Sequence, residues 1–142
     1  LLLPRGCQNA GDAMAEHGLV ARRPLESDWT PGSGYRIGTL LTQRATRFTG
    51  LVVANDQMSL GCIHALVEQG IRVPEDVSVV GFDDIPEAAY LIPPLTTVRQ
   101  DFGAVGRRAI EILRSAIGGT ATPESLIAPE LVVRASTAAR SS

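Results

Sequence analysis

One stretch, Leu51 to Asp84, constrains the fold of this chain more than any other. It opens with a short apolar run, Leu51 to Ala54, which predicts a strand buried on both faces. Apolar residues then recur at helical spacing from Met58 to Val67, and Gly70 ends that helix. A second apolar run, Val77 to Val80, follows a turn. Strand, helix and strand within about 30 residues predict a βαβ unit with parallel strands and a right-handed crossover.

Polar side chains follow both predicted strands. Asn55 comes directly after the first strand, and Asp83 comes after the second. Parallel strands end at the same edge of a sheet, where open α/β sheets bind their ligands, so we expect Asn55 beside Asp83. An amide and a carboxylate suit a neutral polyhydroxylated or amide-bearing ligand. Each residue also has a local alternative, because Asn55 could cap the following helix and Asp83 could cap a turn.

Another helix is predicted after Trp29, the one tryptophan of the chain, with Thr30 as its N-cap and Pro31 in its first turn. Glycines within it, Gly34 and Gly38 among them, weaken the helix and allow another segment to approach closely. A lone tryptophan is most often a packing residue. In a loop at the mouth of a sheet, however, it could stack on a sugar ring or a base.

Two further elements are predicted towards the carboxyl terminus. Asp101 to Ile117 is an amphipathic helix, with apolar residues on one side and arginines mostly on the other. Glu130 to Arg134 reads as a short last strand. Between the βαβ unit and these elements, Asp84 is predicted to cap a short helix that contains Pro86.

Composition excludes several classes of protein. Of 142 residues, 44% are hydrophobic and 20% are charged, which is typical of one compact soluble domain. The net charge of −2 gives no electrostatic case for nucleic-acid binding. Two cysteines cannot build a disulfide scaffold, and Cys62 falls on an apolar helix face, where a buried free thiol is expected. We find no catalytic triad signature, phosphate loop or metal-ligand spacing, so we expect no catalytic residue, cofactor or metal.

The motifs together are recognisable. AND-x-M-x-LG from Ala54, VPEDVSVVGFDD from Val73 and PPLTTVRQD from Pro93 resemble the effector-binding domain of the LacI/GalR family of bacterial transcription regulators. The resemblance is dense from Trp29 to Thr137. It implies an α/β fold of the periplasmic-binding-protein-like type I class, with a parallel sheet flanked by helices and a ligand in a cleft between two subdomains.

The resemblance also implies roles for particular residues. Those expected to line the cleft and bind a sugar or, less favoured, a purine are Trp29, Asn55, Asp83 and Phe102. Those expected at a homodimer interface are Met58, Cys62, Ile63 and Tyr90, of which Met58, Ile63 and Tyr90 are expected to be exposed. Counting back from Gly18 places Gly6 where the family tends to carry an effector-clamping arginine.

Measured against that family, residues 1–142 are predicted to be a truncated, partial effector-binding domain. The helix-turn-helix, the hinge helix and most of the first subdomain cannot be fitted before Leu1. The segment of about 98–119 would pack on that first subdomain. Without it, we expect the Asp101–Ile117 helix either to collapse onto the remaining sheet or to leave its apolar face exposed.

The leading hypothesis is therefore a cytoplasmic effector-sensing domain of a LacI/GalR-type regulator, with operator DNA contacted only through a helix-turn-helix outside this chain. No apolar run is long enough to span a membrane. A solute-binding protein for transport would share the architecture, and a non-functional remnant is a further alternative. An enzyme has little support, because no nucleophile is paired with a base.

Overall fold

The chain builds a mixed four-stranded sheet with helices, and the computed structural model describes residues 13–20, 23–43, 48–119 and 126–139. The strands, in both spatial and chain order, are β1 (Gly50–Val52), β2 (Ser78–Asp83), β3 (Thr96–Arg99) and β4 (Glu130–Val132). The helices are α1 (Pro31–Thr42), α2 (Asp56–Glu68) and α3 (Phe102–Ile117), with a 3-10 turn at Pro86–Tyr90. β1, β2 and β3 are parallel, whereas β4 is antiparallel to β3. The predicted βαβ unit is confirmed. The expectation of a parallel sheet is corrected, because β4 is antiparallel.

Buried positions alternate along β1 and β2. Leu51 and Val79 are buried, whereas Val52 is 39% exposed. The prediction that the first strand is buried on both faces is therefore wrong. The core instead lies on one face, where Leu66 of α2 packs, and an alternating strand exposes its other face.

α1 and α2 form a close helix pair. Thr30 caps α1 as predicted, and its hydroxyl accepts a hydrogen bond from the Ser33 N–H at 3.1 Å. A Cβ on Gly34 would collide with the backbone of Met58, and one on Gly61 would collide with the backbone of Pro31. The glycines of α1 therefore do admit a neighbouring segment, and that segment is α2.

This contact overturns part of the predicted dimer surface. Met58, Cys62 and Ile63 are 3%, 0% and 4% exposed, and all three belong to the core of this chain. The thiol of Cys62 donates to the Gly34 carbonyl at 3.1 Å. The predicted exposure of Met58 and Ile63 is wrong because the face of α2 that carries them packs inside the chain, whereas the buried free thiol expected at Cys62 is confirmed. Tyr90, at 84% exposed, remains on the surface.

α3 has no buried residue. Asp101 caps it, accepting from the Ala104 N–H at 2.8 Å. The apolar side chains of its predicted inner face are nevertheless exposed, with Val105 at 44% and Leu113 at 56%. Of the two outcomes expected for this helix, the structure shows the exposed face.

Two smaller features complete the description. Residues 13–16 are helical, and Gly18 follows with a φ of 67°, as expected for the glycine that ends a helix. Gly6, at the position aligned with the family arginine, lies outside the described residues. Within the described ranges, no helix has the length and apolar character needed to cross a bilayer.

Candidate functional site

Asn55 and Asp83 follow neighbouring parallel strands at corresponding positions. Val52 is in register with Val80, and the Val53 N–H donates to the Val80 carbonyl at 2.8 Å. Asn55 lies three residues after Val52, and Asp83 lies three residues after Val80. The amide and the carboxylate therefore lie at the same edge of the sheet, as the sequence predicts.

Asn55 serves the fold at this edge. Its Oδ1 accepts from the Met58 N–H at 2.8 Å, which caps α2, and its Nδ2 donates to the Trp29 carbonyl at 3.1 Å. The side chain is nearly buried, at 6% exposed. The local alternative of helix capping is thus correct. One amide hydrogen and one oxygen lone pair of Asn55 remain beyond these two bonds.

Trp29 is positioned by that second bond. Its φ of 68° places it in the left-handed region, which costs a non-glycine residue about 1–3 kcal/mol. The bond from Asn55 and the Thr30 cap hold the backbone on either side of this turn. Trp29 is 49% exposed, and it is its backbone carbonyl that contacts the Asn55 amide.

Asp83 has a partner that sequence reasoning missed. Its Oδ1 accepts from Gln100 Nε2 at 3.1 Å, and its backbone is left-handed with a φ of 105°. Gln100 directly follows β3, whose Arg99 is in register with Asp83. Its position after a third parallel strand could have revealed it, since the same edge rule applies. The carboxylate keeps its second oxygen for further donors.

Asp84 does not cap the short helix, contrary to prediction. Ile85 occupies the N-cap without a side-chain bond, and Asp84 points instead to two arginines. Arg134 Nη2 lies 2.7 Å from its Oδ1, and Arg99 Nε lies 2.6 Å from its Oδ2. Burial would raise the pKa of Asp84, yet the bonds from both arginines hold that pKa below its usual value.

Phe102 begins α3, three residues after Arg99. Its ring is 59% exposed. The structure thus links Trp29 with Asn55 by a hydrogen bond and places Asp83 at the same edge, while Phe102 lies on the next element of the chain. Binding by these four residues stays a prediction.

A second buried carboxylate, Asp56, was also missed. It follows Asn55, is completely buried and accepts from the Thr97 hydroxyl at 2.6 Å. Burial raises the pKa of Asp56, and the bond from Thr97 opposes that rise. Its local signal was ambiguous, because an acidic residue in the first turn of a helix is ordinarily solvent-exposed.

A polar cluster joins α1 to the carboxyl end of α2, away from Asn55. The Tyr35 hydroxyl donates to Glu68 Oε2 at 2.6 Å, and His64 Nε2 lies 3.4 Å from Glu68 Oε1. On the same exposed side of α2, Leu60 is 39% and Val67 is 55% exposed. This side of α2, Tyr90 and the outer face of α3 all expose apolar side chains.

The part of the chain that the structure describes contains no candidate metal site. No group of three or more histidine, cysteine or acidic side chains is arranged there to hold a metal ion.

Comparison with known proteins gives a consistent picture. The model of the periplasmic binding protein-like domain matches residues 5–137. The HTH-type transcriptional regulator MalR of Streptomyces coelicolor is 53% identical over 92 residues, which cover 63% of this chain and 27% of that protein. The lactose operon repressor of Escherichia coli is 38% identical over 112 residues, covering 79% and 31%.

Solved structures agree. The crystal structure of the lac repressor dimer bound to operator and the anti-inducer ONPF superimposes with a TM-score of 0.83 at 35% identity. It covers 93% of this chain, and this chain covers 47% of it. The chain therefore spans about half of that structure and about a third of the curated relatives.

Proposed function

The chain belongs to the periplasmic binding protein-like domain family, and on that premise we propose that it is the effector-sensing part of a LacI-type transcriptional regulator. One observation carries the proposal. An amide and a carboxylate stand at the ends of adjacent parallel strands, and the amide is bonded to the backbone of the half-exposed Trp29, in a chain similar to such regulators. Catalysis is not part of the proposal, since the curated relatives named above are regulators.

The chemistry of the edge favours a sugar over a purine. Asp83 offers a carboxylate oxygen and Asn55 a remaining lone pair, so the edge offers mainly acceptors to a ligand. A ligand rich in hydroxyl donors matches that set, and the indole of Trp29 can pack on the apolar face of a pyranose ring. We infer that Phe102 packs on the other side of the ligand.

The exposed face of α3 supports a second part of the proposal. A helix that buries none of its residues but carries an apolar face needs a covering surface. We infer that residues of about 98–119 pack on a first subdomain of a longer protein, and that the ligand lies in the cleft between the two subdomains.

We also infer a homodimer. Since Met58, Cys62 and Ile63 are buried in this chain, the interface would use the opposite side of α2 and the 3-10 turn, namely Leu60, Val67 and Tyr90. Tyr90→Arg should weaken such a dimer. Leu126→Arg, at a fully exposed residue on another segment, should leave the dimer intact. Sedimentation velocity at several concentrations measures this difference.

Operator binding would belong to a helix-turn-helix segment, as the name of the MalR relative indicates for that protein. We propose that the sensor works in the cytoplasm, where a regulator meets chromosomal DNA. The charge of −2 supports a role without direct DNA contact. A gel shift showing salt-sensitive operator binding by these 142 residues would contradict it.

Titration with small molecules tests the proposal directly. The longer protein inferred above, with both subdomains, is titrated with lactose, maltose, D-galactose, adenine and guanine while its tryptophan emission is followed. We expect a saturable response to at least one sugar. Asp83→Ala should weaken it at least about tenfold, because a hydrogen bond to a charged group contributes about 1.5–3 kcal/mol.

Asp76 provides the matched control. It lies just before β2, at the opposite edge of the sheet, and its carboxylate is engaged by Arg72 on the surface. Asp76→Ala should therefore leave the affinity unchanged. A chain that responds to none of the five compounds, or an Asp83→Ala variant that binds as tightly as the parent, would refute the proposed function.

A further inference from the structure

The buried carboxylate of Asp56 joins three elements behind the ligand edge. It is the first residue of α2, its Oδ1 accepts from the Thr97 hydroxyl of β3 at 2.6 Å, and its Oδ2 accepts from the Ile85 N–H at 3.0 Å. Ile85 lies two residues beyond Asp83. One carboxylate thus connects the helix turn that begins with Asn55 to the segment that carries Asp83.

β2 is shaped to admit this side chain. A Cβ on Gly81 would collide with Asp56 Oδ1, and it would lie 3.0 Å from Ser59 Oγ. Gly81 therefore lets the strand backbone approach the carboxylate closely, two residues before Asp83. Ser59 occupies the next turn of α2 and is also completely buried.

Helix capping does not explain Asp56, because Asn55 already caps α2. A fully buried carboxylate is expensive to desolvate, so its retention needs compensating bonds. Those bonds run to Thr97 of β3 and to Ile85 in the segment that leads out of β2. Their common effect is to fix the distance between the ends of β1 and β2.

We propose that Asp56 is a positioning residue, which holds the Asp83 segment against the Asn55 turn so that both side chains reach the same ligand. Its importance for ligand affinity rests on the proposed function. Its role in holding the segment does not. The two can therefore be tested separately.

Thr97 gives the sharpest perturbation, because Thr97→Val removes the hydroxyl while keeping the shape of the side chain. Thr96→Val is the matched control. Thr96 is the preceding residue of β3, is 2% exposed, and bonds to Arg134 and Thr137 rather than to Asp56. Thr97→Ser restores a hydroxyl and serves as the conservative rescue.

The first measurement needs no ligand. Hydrogen exchange of the Ile85 amide should become about tenfold faster in Thr97→Val. The Asp56 carboxylate, which accepts the hydrogen bond of that amide, is then no longer held by the Thr97 hydroxyl. In Thr96→Val and Thr97→Ser the exchange rate should stay within about threefold of the parent. Equal rates for Thr97→Val and Thr96→Val would overturn the positioning role.

The second measurement titrates the same two-subdomain protein with lactose and maltose while its tryptophan emission is followed. Thr97→Val should lower the affinity for the sugar that binds about tenfold, equivalent to about 1.4 kcal/mol, and Thr97→Ser should restore it. Thr96→Val should lower stability but keep the affinity. An affinity loss shared by both valine variants would refute a specific role for Asp56. If neither sugar binds the parent, the exchange experiment alone decides the positioning role, and the proposed function fails for these sugars.

Discussion

Arg134 is predicted to stabilise the chain more than any other charged side chain at the sheet edge. Its Nη1 donates to the Leu95 carbonyl at 2.8 Å, its Nη2 pairs with Asp84 at 2.7 Å, and its side chain is 18% exposed. Arg134→Met keeps most of the apolar stem but removes both bonds. Hydrogen bonds that involve a charged group contribute about 1.5–3 kcal/mol each, so two of them at the lower limit give a loss of about 3 kcal/mol.

Such a loss is large against a net folding free energy of about 5–15 kcal/mol. With a denaturant slope of about 1–3 kcal/mol per molar urea, the unfolding midpoint should fall by at least about 1 M. Far-UV circular dichroism and Trp29 emission, recorded against urea, measure that midpoint.

Arg99→Met is the matched control. Arg99 binds the other oxygen of Asp84, but its side chain is 47% exposed, so solvent screens the pair. We expect its midpoint shift to be less than half that of Arg134→Met. Equal shifts would show that burial of the Arg134 bonds does not matter, and the reasoning would then be wrong.

Three further predictions follow from the same structure. Gly61→Ala should strongly lower the unfolding midpoint because its Cβ would collide with the backbone of α1, whereas Gly106→Ala, with open space around it, should raise stability by roughly 0.5–1 kcal/mol. Burial raises the pKa of Cys62 to about 12, so in a Cys7→Ser background the native thiol should resist Ellman's reagent at pH 8 until urea is added. The pKa of Asp84 is lowered in the folded state, so its stabilisation is present above about pH 4 and is lost as the pH falls through the folded value. From pH 7 to pH 3, the urea midpoint of the Asp84→Asn variant should therefore fall by less than the midpoint of the parent.

Local patterns were enough to predict the βαβ unit. Short apolar runs and helical spacing located β1, α2 and β2, and the edge rule placed Asn55 with Asp83. The Thr30 cap was predicted equally well, because capping depends on residues within one turn.

Long-range pairing was not predictable in this way. Asp84 was assigned to a local cap, yet its partners lie 15 and 50 residues further along the chain. The sequence around Asp84 does not indicate that it pairs with either arginine. The register of β2 with β3, and of β3 with β4, has to be known before Asp84 and its two arginine partners can be placed together.

The faces of α2 show why burial was misjudged. Apolar residues are present on more than one side of this helix, so the sequence did not reveal which side faces the core. The glycines supplied the missing clue. Small residues at Gly34 and Gly61 mark the line along which α1 and α2 cross, and the neighbours of Gly61, Met58 and Cys62 among them, had to be buried with it.

The double engagement of Asn55 restricts how this edge can diversify. Aspartate at this position would preserve the cap on α2 but could not donate to the Trp29 carbonyl, and alanine would lose both bonds. Any change of chemistry there would penalise folding and the placement of the indole together. Phe102 carries no comparable burden, whereas Asp83 has left-handed backbone and a bond from Gln100, so a redesign that seeks a different specificity has most freedom at Phe102, with Asn55 kept as a fixed point.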